Sequence, residues 1–166
     1  MEIALVTDTH DNFYLFEKVL KQLNEKKISF LLHAGDLVSP PALRLVDTVF
    51  KGKMHFVFGN NEGEKLTLAR ISLESDKIEC HNQEAEMEID GRKIYMIHYS
   101  SIGEKIAKLQ EHDLVVAGHD HKQRVLRFGS TIFVNPGNLV ADGKGEKTYM
   151  IVDLESFKVE KIIVKR

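Results

Sequence analysis

The sequence predicts a mixed α/β protein organised as two β-sheets with helices against them. Three observations carry that prediction. The first half alternates short apolar runs with stretches of helical period, at intervals that fit right-handed crossovers and a parallel sheet. The second half is richer in paired apolar runs joined by two-residue turns, the pattern of hairpins. Six of the apolar runs stop in a polar cluster. In open α/β sheets the carboxyl ends of strands form the binding crevice, so those clusters are where a site is expected.

Taken in order, residues 2–7 are an apolar, β-branched-rich run read as a buried strand, ending in Asp8-Thr9-His10-Asp11-Asn12. Phe13, Phe16, Val19, Leu20 and Leu23 then recur at helical spacing. Residues 13–26 are therefore an amphipathic helix, with Asn12 as its N-cap and Glu17 in its early turns. Asp11 is read as a residue that starts this helix, not as a ligand. A second buried strand, 28–32, leads into His33-Ala34-Gly35-Asp36. Ser39-Pro40-Pro41 opens a helix with proline in its first turn, continued by Ala42, Leu43, Leu45, Val46, Val49 and Phe50. A third strand, 54–58, ends in Gly59-Asn60-Asn61-Glu62, and a shorter helix covers 64–73.

The character then changes. Residues 85–89 and 93–97 flank Asp90-Gly91, a strong hairpin signal, and the second strand ends in His98-Tyr99-Ser100-Ser101. Residues 102–111 form a helix with Ile102, Ile106 and Leu109 on one face. Strand 114–117 leads to Gly118-His119-Asp120-His121. Residues 123–128 and 131–134 pair across Gly129-Ser130 and close in Asn135-Pro136-Gly137-Asn138. A last hairpin joins 148–154 to 158–164 across Glu155-Ser156.

Length and composition bound the function. The 166 residues are read as one domain, 1–166, long enough to bury a substantial core; 43% hydrophobic and 29% charged residues fit a soluble globular protein. A net charge of −2 gives no electrostatic basis for general nucleic-acid or anionic-membrane binding. The single cysteine, Cys80, excludes an intramolecular disulfide and is read as inert. The opening carries no charged-then-apolar signal segment, and no apolar stretch approaches the roughly 20 residues of a membrane span. A cytoplasmic protein without membrane attachment is the expected class.

Asp8, His10, Asp36, Asn60, His98, His119 and His121 collect at the ends of these runs. In extended chain, residues i and i+2 face one side, so Asp8 with His10, and His119 with His121, are each expected to face one point. Carboxylates and imidazoles converging there suit a divalent transition metal. Seven donors exceed the need of one tetrahedral ion. They suit two ions sharing a carboxylate, roughly 3.5–4 Å apart, a clamp for the attacking and leaving oxygens of a phosphoryl displacement. Each piece alone is weak: Asp-x-His recurs by chance, Gly-Asp is usually a turn, and Gly-Asn-Asn is an ordinary loop. His-x-His after a strand is stronger, and the joint order decides. His33 borders the Gly35-Asp36 turn and is a candidate to support a ligand there. His55, His81 and His112 sit among charged or loop residues and are read as surface or packing histidines.

With Asp8-Thr9-His10, Gly35-Asp36, Gly59-Asn60-Asn61-Glu62, His98, Gly118-His119-Asp120-His121 and then Asn135-Pro136-Gly137, the chain resembles the calcineurin-like metallophosphoesterases. Within them it is similar to the small, single-domain bacterial and archaeal phosphodiesterase branch. The resemblance runs from Val6 to about Gly137 and, in layout, over the whole chain. It implies a four-layer αββα sandwich, two packed mixed β-sheets flanked by helices. It implies one metal held by Asp8, His10, Asp36 and His121 and another held by Asp36, Asn60, His98 and His119. Asp36 would bridge them, and Asp36, Asn60 and His98 would be the catalytic residues. The implied cofactors are two divalent transition-metal ions, Mn, Ni, Zn or Fe, with Mn favoured. The implied reaction is phosphodiester hydrolysis by in-line attack of a metal-bridging hydroxide. The implied partner is a small phosphoester substrate, with a cyclic nucleotide or other nucleotide diester among the candidates; a homo-oligomer stays open.

The chain departs from the family pattern at four places. Asn61 stands where many members carry His, and it cannot act as a general acid. Tyr99 follows His98 where Gly is usual, and would narrow the site mouth or stack on a substrate base. Asp120 stands where Thr is commoner and would add negative charge near the ions. Glu62 replaces the commoner Asp and is expected to orient a ligand. Two other readings compete. A phosphomonoesterase would use the same ions, but no extra Arg or Lys flanks the motifs to hold a dianion. A non-catalytic scaffold, the role of the metallophosphoesterase-like subunit of the eukaryotic retromer complex, becomes attractive when ligands are lost, and here all seven positions hold competent ligand types.

Overall fold

Two sheets pack face to face. The first carries, in spatial order, β11 (Val159–Ile163), β10 (Thr148–Asp153), β1 (Glu2–Val6), β2 (Phe30–His33), β3 (Lys53–Phe56) and β4 (Ile78–Cys80). Strands β1 to β4 run parallel, and β10 and β11 add antiparallel on the far side. The second sheet has the order β5 (Glu84–Ile89), β6 (Arg92–Tyr99), β7 (Leu114–Gly118), β9 (Thr131–Asn135) and β8 (Arg124–Phe128), with β6, β7 and β9 parallel and antiparallel strands at both edges. The structure is a computed structural model and describes residues 1–142 and 144–165; Gly143 and Arg166 of the expected 1–166 domain lie outside the described residues.

Three apolar clusters separate four layers. The first joins Ala4, Val6 and Leu31 to α1 (Phe13–Glu25), α2 (Pro40–Val49) and α3 (Lys65–Glu74) through Leu20, Leu43 and Leu68. The second lies between the sheets, where Ile3, Leu5 and Leu32 meet Ile94, Met96, Val116 and Val134. The third seats α4 (Ser100–Leu109) on Val115, Ala117 and Phe133 through Ala107. Alternate residues of β1 and β7 thus enter opposite layers, which is why these strands are apolar without interruption. Fully burying one such Leu, Val or Ile contributes roughly 1.5–3 kcal/mol, so the energy of the fold lies in these layers and not at the strand ends. The αββα sandwich expected from the sequence is the fold observed. Among the described residues, no helix is long and apolar enough to cross a membrane.

Asn12 caps α1 as expected, accepting from Leu15 N–H at 3.3 Å, and its amide also donates to Leu139 O at 2.6 Å. Asp90 and Gly91 both have positive φ, +53° and +72°, as the tight hairpin between β5 and β6 requires. Several boundaries differ from expectation by one or two residues, β2 starting at Phe30 and β3 ending at Phe56 among them, and one strand is unforeseen. Helix α4 starts at Ser100, two residues early, because β6 runs directly into it and buries Ser100. Strand β4 has no counterpart in the sequence reading: only Ile78 of its three residues is buried, so it offers no period to detect.

Candidate metal centre

The carboxyl-end segments of β1, β2 and β3 meet those of β6 and β7 at one end of the sandwich. The structure brings all seven sequence-derived site residues into one unbroken chain of contacts. His121 Nε2 lies 3.2 Å from Asp8 Oδ1, and His10 Nε2 lies 3.6 Å from the same oxygen. Asp36 Oδ2 is 3.4 Å from His10 Nε2 and 3.4 Å from His98 Nε2. Asn60 Oδ1 is then 3.0 Å from His98 Nε2 and 2.9 Å from His119 Nδ1.

The backbone that achieves this is not the extended chain inferred from the sequence. Asp8, His10, Asp36, His119 and His121 all have left-handed φ, between +45° and +74°. Such values are uncommon outside glycine, though Asp, Asn and His tolerate them best, and they gather at functional sites. The convergence is therefore made by left-handed turns after the strands. This also corrects the geometry of the His119/His121 pair. The two rings serve different neighbours, His119 facing Asn60 and His121 facing Asp8, where strand alternation would have aimed both at one point. Close approach explains the glycines: a Cβ on Gly59 would collide with the Asp36 carboxylate, and one on Gly118 with Thr7 Oγ1 and Asp8 Oδ2.

A set of buried polar groups holds these turns. Asp8 Oδ2 accepts from Thr7 Oγ1 at 2.7 Å and from His119 N–H at 2.9 Å, which leaves Oδ1 turned toward His10 and His121. Glu62 accepts from Leu37 N–H at 2.9 Å and Gly59 N–H at 2.6 Å, so it ties the Asp36 turn to the Asn60 turn. Asn61 donates its backbone N–H (2.9 Å) and its Nδ2 (2.7 Å) to the two oxygens of Asp36. His33 is fully buried beneath this level. Its Nδ1 accepts from Gly35 N–H at 3.3 Å, leaving Nε2–H to donate to Thr9 Oγ1 at 3.2 Å. Asn135 donates to Gly118 O at 3.1 Å and to Asp120 at 2.9 Å, steadying the His119–His121 turn. Asp11 Oδ1 accepts from Ser39 N–H at 3.1 Å and Ser39 Oγ at 2.6 Å and so joins two helix starts.

The donor set fits cations. Asp8 Oδ1 and His10 Nε2 are buried and make no hydrogen bond, although each lies among polar atoms. His98 Nδ1–H donates to Ala34 O at 2.8 Å, so a neutral ring turns its Nε2 lone pair on two oxygens, those of Asp36 and Asn60. Lone pair facing lone pair is unfavourable unless a proton or a metal ion lies between. The electrostatics agree. Burial alone would raise the Asp8 carboxyl, but the facing His10 and His121 rings outweigh it and hold Asp8 well below the usual carboxylate range. Asp36 is likewise lowered to about 2: burial opposes its charge, while His98 and Asn61 favour it more strongly. The chemistry of the set, imidazole with carboxylate and amide oxygen, suits transition metals.

Around the mouth, Tyr99 stands edge-on to His119 with ring centroids 4.8 Å apart. A cavity of about 460 Å³ opens beside His121, lined by Lys122 and Lys144 and by Asp142 and Glu146, which pair with Lys147 at 2.7 Å and with Lys161 at 3.0 Å. Lys122 directly follows His121, so the expectation that no Arg or Lys flanks the motifs does not hold. Asp120 does not add free negative charge as expected. It pairs with Arg124 at 2.6 Å and is pulled below its ordinary range, burial resisting and Arg124 prevailing. Three histidines lie outside the centre's contacts: His112 pairs with Glu86 at 2.9 Å, and His55 and His81 pair with each other at 2.9 Å.

The model of the calcineurin-like phosphoesterase superfamily domain matches residues 1–156. A phosphodiesterase of Methanocaldococcus jannaschii is 25% identical over 167 residues, spanning 99% of this chain and 100% of that relative. The solved structure of an archaeal phosphodiesterase superposes with a TM-score of 0.90 at 25% identity, over 98% of this chain and 99% of its own. A zinc complex of Vps29 from Entamoeba histolytica is similar in fold, with a TM-score of 0.63 at 18% identity, over 99% of this chain and 100% of its own.

Proposed function

Because the chain belongs to the calcineurin-like phosphoesterase superfamily, we propose that it is a single-domain, metal-dependent phosphodiesterase whose centre holds two divalent transition-metal ions. One observation carries the reading: Asp36 Oδ2 stands 3.4 Å from the donor nitrogen of His10 and 3.4 Å from that of His98. One carboxylate therefore serves two donor groups. Asp8, His10, Asp36 and His121 would hold one ion, and Asp36, Asn60, His98 and His119 the other. Mn, Ni, Zn and Fe all accept this mixture of donors, and Mn is favoured on the family resemblance alone. Such ions supply Lewis-acid activation of water and offset the charge that develops on a phosphoryl group in flight.

The protein's own residues prepare that chemistry. The bond from His98 to Ala34 O fixes the tautomer that leaves Nε2 free to ligate. Thr7, Glu62 and Asn61 hold Asp8, the Asn60 turn and Asp36 in place before anything binds, and such preorganisation spares reorganisation during reaction. The cavity beside His121 offers Lys122 and Lys144 to a phosphoester anion, since its two acids are taken up by Lys147 and Lys161; the preference for a diester rests on the likeness to phosphodiesterases. Tyr99 offers a ring at the mouth for a substrate base, so a nucleotide diester, cyclic or linear, is the substrate class.

The test is hydrolysis after reconstitution with Mn²⁺, Ni²⁺, Zn²⁺ or Fe²⁺, comparing aryl phosphodiesters and cyclic nucleotides with the matching monoesters. Diesters are expected to turn over faster, and Asp36→Ala is expected to remove activity and deplete both ions. Faster monoester turnover would make the protein a phosphomonoesterase. No turnover of any phosphoester with any of these ions would overturn the enzyme reading.

A further inference from the structure

Away from this centre, on the exposed edge of the first sheet, β3 and β4 bring His55 together with Glu79 and His81, which lie more than 20 residues further along the chain. His55 is paired in register with Glu79, and His81 follows Glu79 by two residues. His55 Nδ1 is 2.9 Å from His81 Nε2 and 3.5 Å from Glu79 Oε2, while His81 Nε2 is 3.6 Å from Glu79 Oε1. Donors bound about 2.0–2.1 Å from a tetrahedral zinc ion lie roughly 3.3–3.4 Å from one another. The two contacts to Glu79 end on different oxygens of its carboxylate, and one donor atom from each of the three residues lies within 4.8 Å of the others, so a rotation of the carboxylate closes the triangle. The imidazoles are well enclosed, at 15% and 17% exposure, and Phe30 stacks on His55 with ring centroids 6.1 Å apart. His55 and Glu79 also line a cavity of about 420 Å³, which gives an ion access from solvent.

We propose that His55, Glu79 and His81 form an additional, mononuclear site for a divalent transition metal of the zinc class. Two imidazoles and one carboxylate are a common three-residue set for such an ion, with a remaining position left to water. In the metal-free pair one ring must donate to the other; on binding, that ring shifts its proton to its other nitrogen, and both lone pairs turn to the ion. The bound ion would clamp β4, a three-residue edge strand, to β3. An edge strand this short has little apolar burial to hold it, and only Ile78 of the three is buried.

The competing account is a plain hydrogen-bonded imidazole pair beneath an acid, which binds nothing. Metal-free protein dialysed against Zn²⁺, with zinc per chain counted by elemental analysis, separates the two. Wild type is expected to hold one zinc more than His55→Gln/His81→Gln. A chain disabled at the other centre by Asp36→Asn and His121→Gln is expected to hold one zinc, which the two further substitutions remove. Glu79→Gln, at a position 64% exposed, tests the site with little risk to folding. It should weaken that zinc by at least the ~10–100-fold that loss of an outer-shell partner costs. An unchanged zinc count in His55→Gln/His81→Gln, or no zinc on the disabled chain, overturns the proposal. Neither result depends on whether any phosphoester is hydrolysed.

Discussion

At Asn61 backbone and side chain act together on one carboxylate. Its two N–H groups grip both oxygens of Asp36, the carboxylate that stands between His10 and His98. The same amide has no proton to release at neutral pH, and a positioned general acid typically contributes roughly 10²–10⁴-fold when a poor leaving group departs. Diesters with acidic leaving groups should therefore react well, and simple alkyl diesters poorly. Asn61→His is expected to raise alkyl rates more than aryl rates, flattening the plot of log rate against leaving-group pKa. A plot already shallow in the wild type and unmoved by the substitution would show that Asn61 marks no absent acid. The expectation of an absent acid comes from the family resemblance, in which many members carry His where the string Gly59-Asn60-Asn61-Glu62 has Asn61. The grip on Asp36 was not legible in the sequence, because it reaches back 25 residues and depends on how two turns are set side by side.

At the scale of elements, the turns after β1 and β2 depend on each other through His33, the last residue of β2, which bonds to Thr9 of one turn and Gly35 of the other. Full burial pulls its imidazole down to about 4, since a charged ring there would lose its hydration. An unfolded chain would bind that proton near pH 6.5, so between pH 6.5 and about 4 the unfolded state holds more protons and stability rises with pH. The contribution is complete above 6.5 and lost as the pH falls through this window. At about 1.4 kcal/mol per pKa unit it amounts to roughly 3 kcal/mol. His33→Gln, which titrates nowhere in this range, should lose less stability than wild type between pH 7 and pH 4. Urea melts at stepped pH measure it, and parallel curves for the two proteins would refute it. What the sequence disclosed at this scale follows burial. Strands β1 and β7, buried on both faces, stood out as apolar runs, and with them Asp8, His10, His119 and His121 just beyond. Strand β4 did not, and the grouping of His55 with Glu79 and His81 was hidden with it, because a cross-strand register cannot be read from a strand that leaves no pattern.

At the scale of the molecule, the centre lies across the two sheets. Asp8, His10, Asp36 and Asn60 follow strands of the first sheet, while His98 is the penultimate residue of a strand of the second and His119 and His121 follow another. The contacts between the two groups, among them His121 to Asp8, His98 to Asp36 and Asn60, and His119 to Asn60 and Asp8, cross from sheet to sheet. The layers of apolar side chains between the sheets suffice to hold the fold, so metal-free protein should be folded and ions should add a cross-link. A ligand that binds only the folded state stabilises it by about 2.7 kcal/mol when present at 100 times its Kd. Mn²⁺ at that excess is expected to raise the urea midpoint of the metal-free protein by an equivalent amount with no change in m, since the surface exposed on unfolding stays the same. In Asp36→Asn the increment should shrink sharply, because both donor groups lose the carboxylate they share. An equal rise in wild type and Asp36→Asn would put the stabilising ion somewhere other than between the sheets, and the two-ion assignment would fall with it.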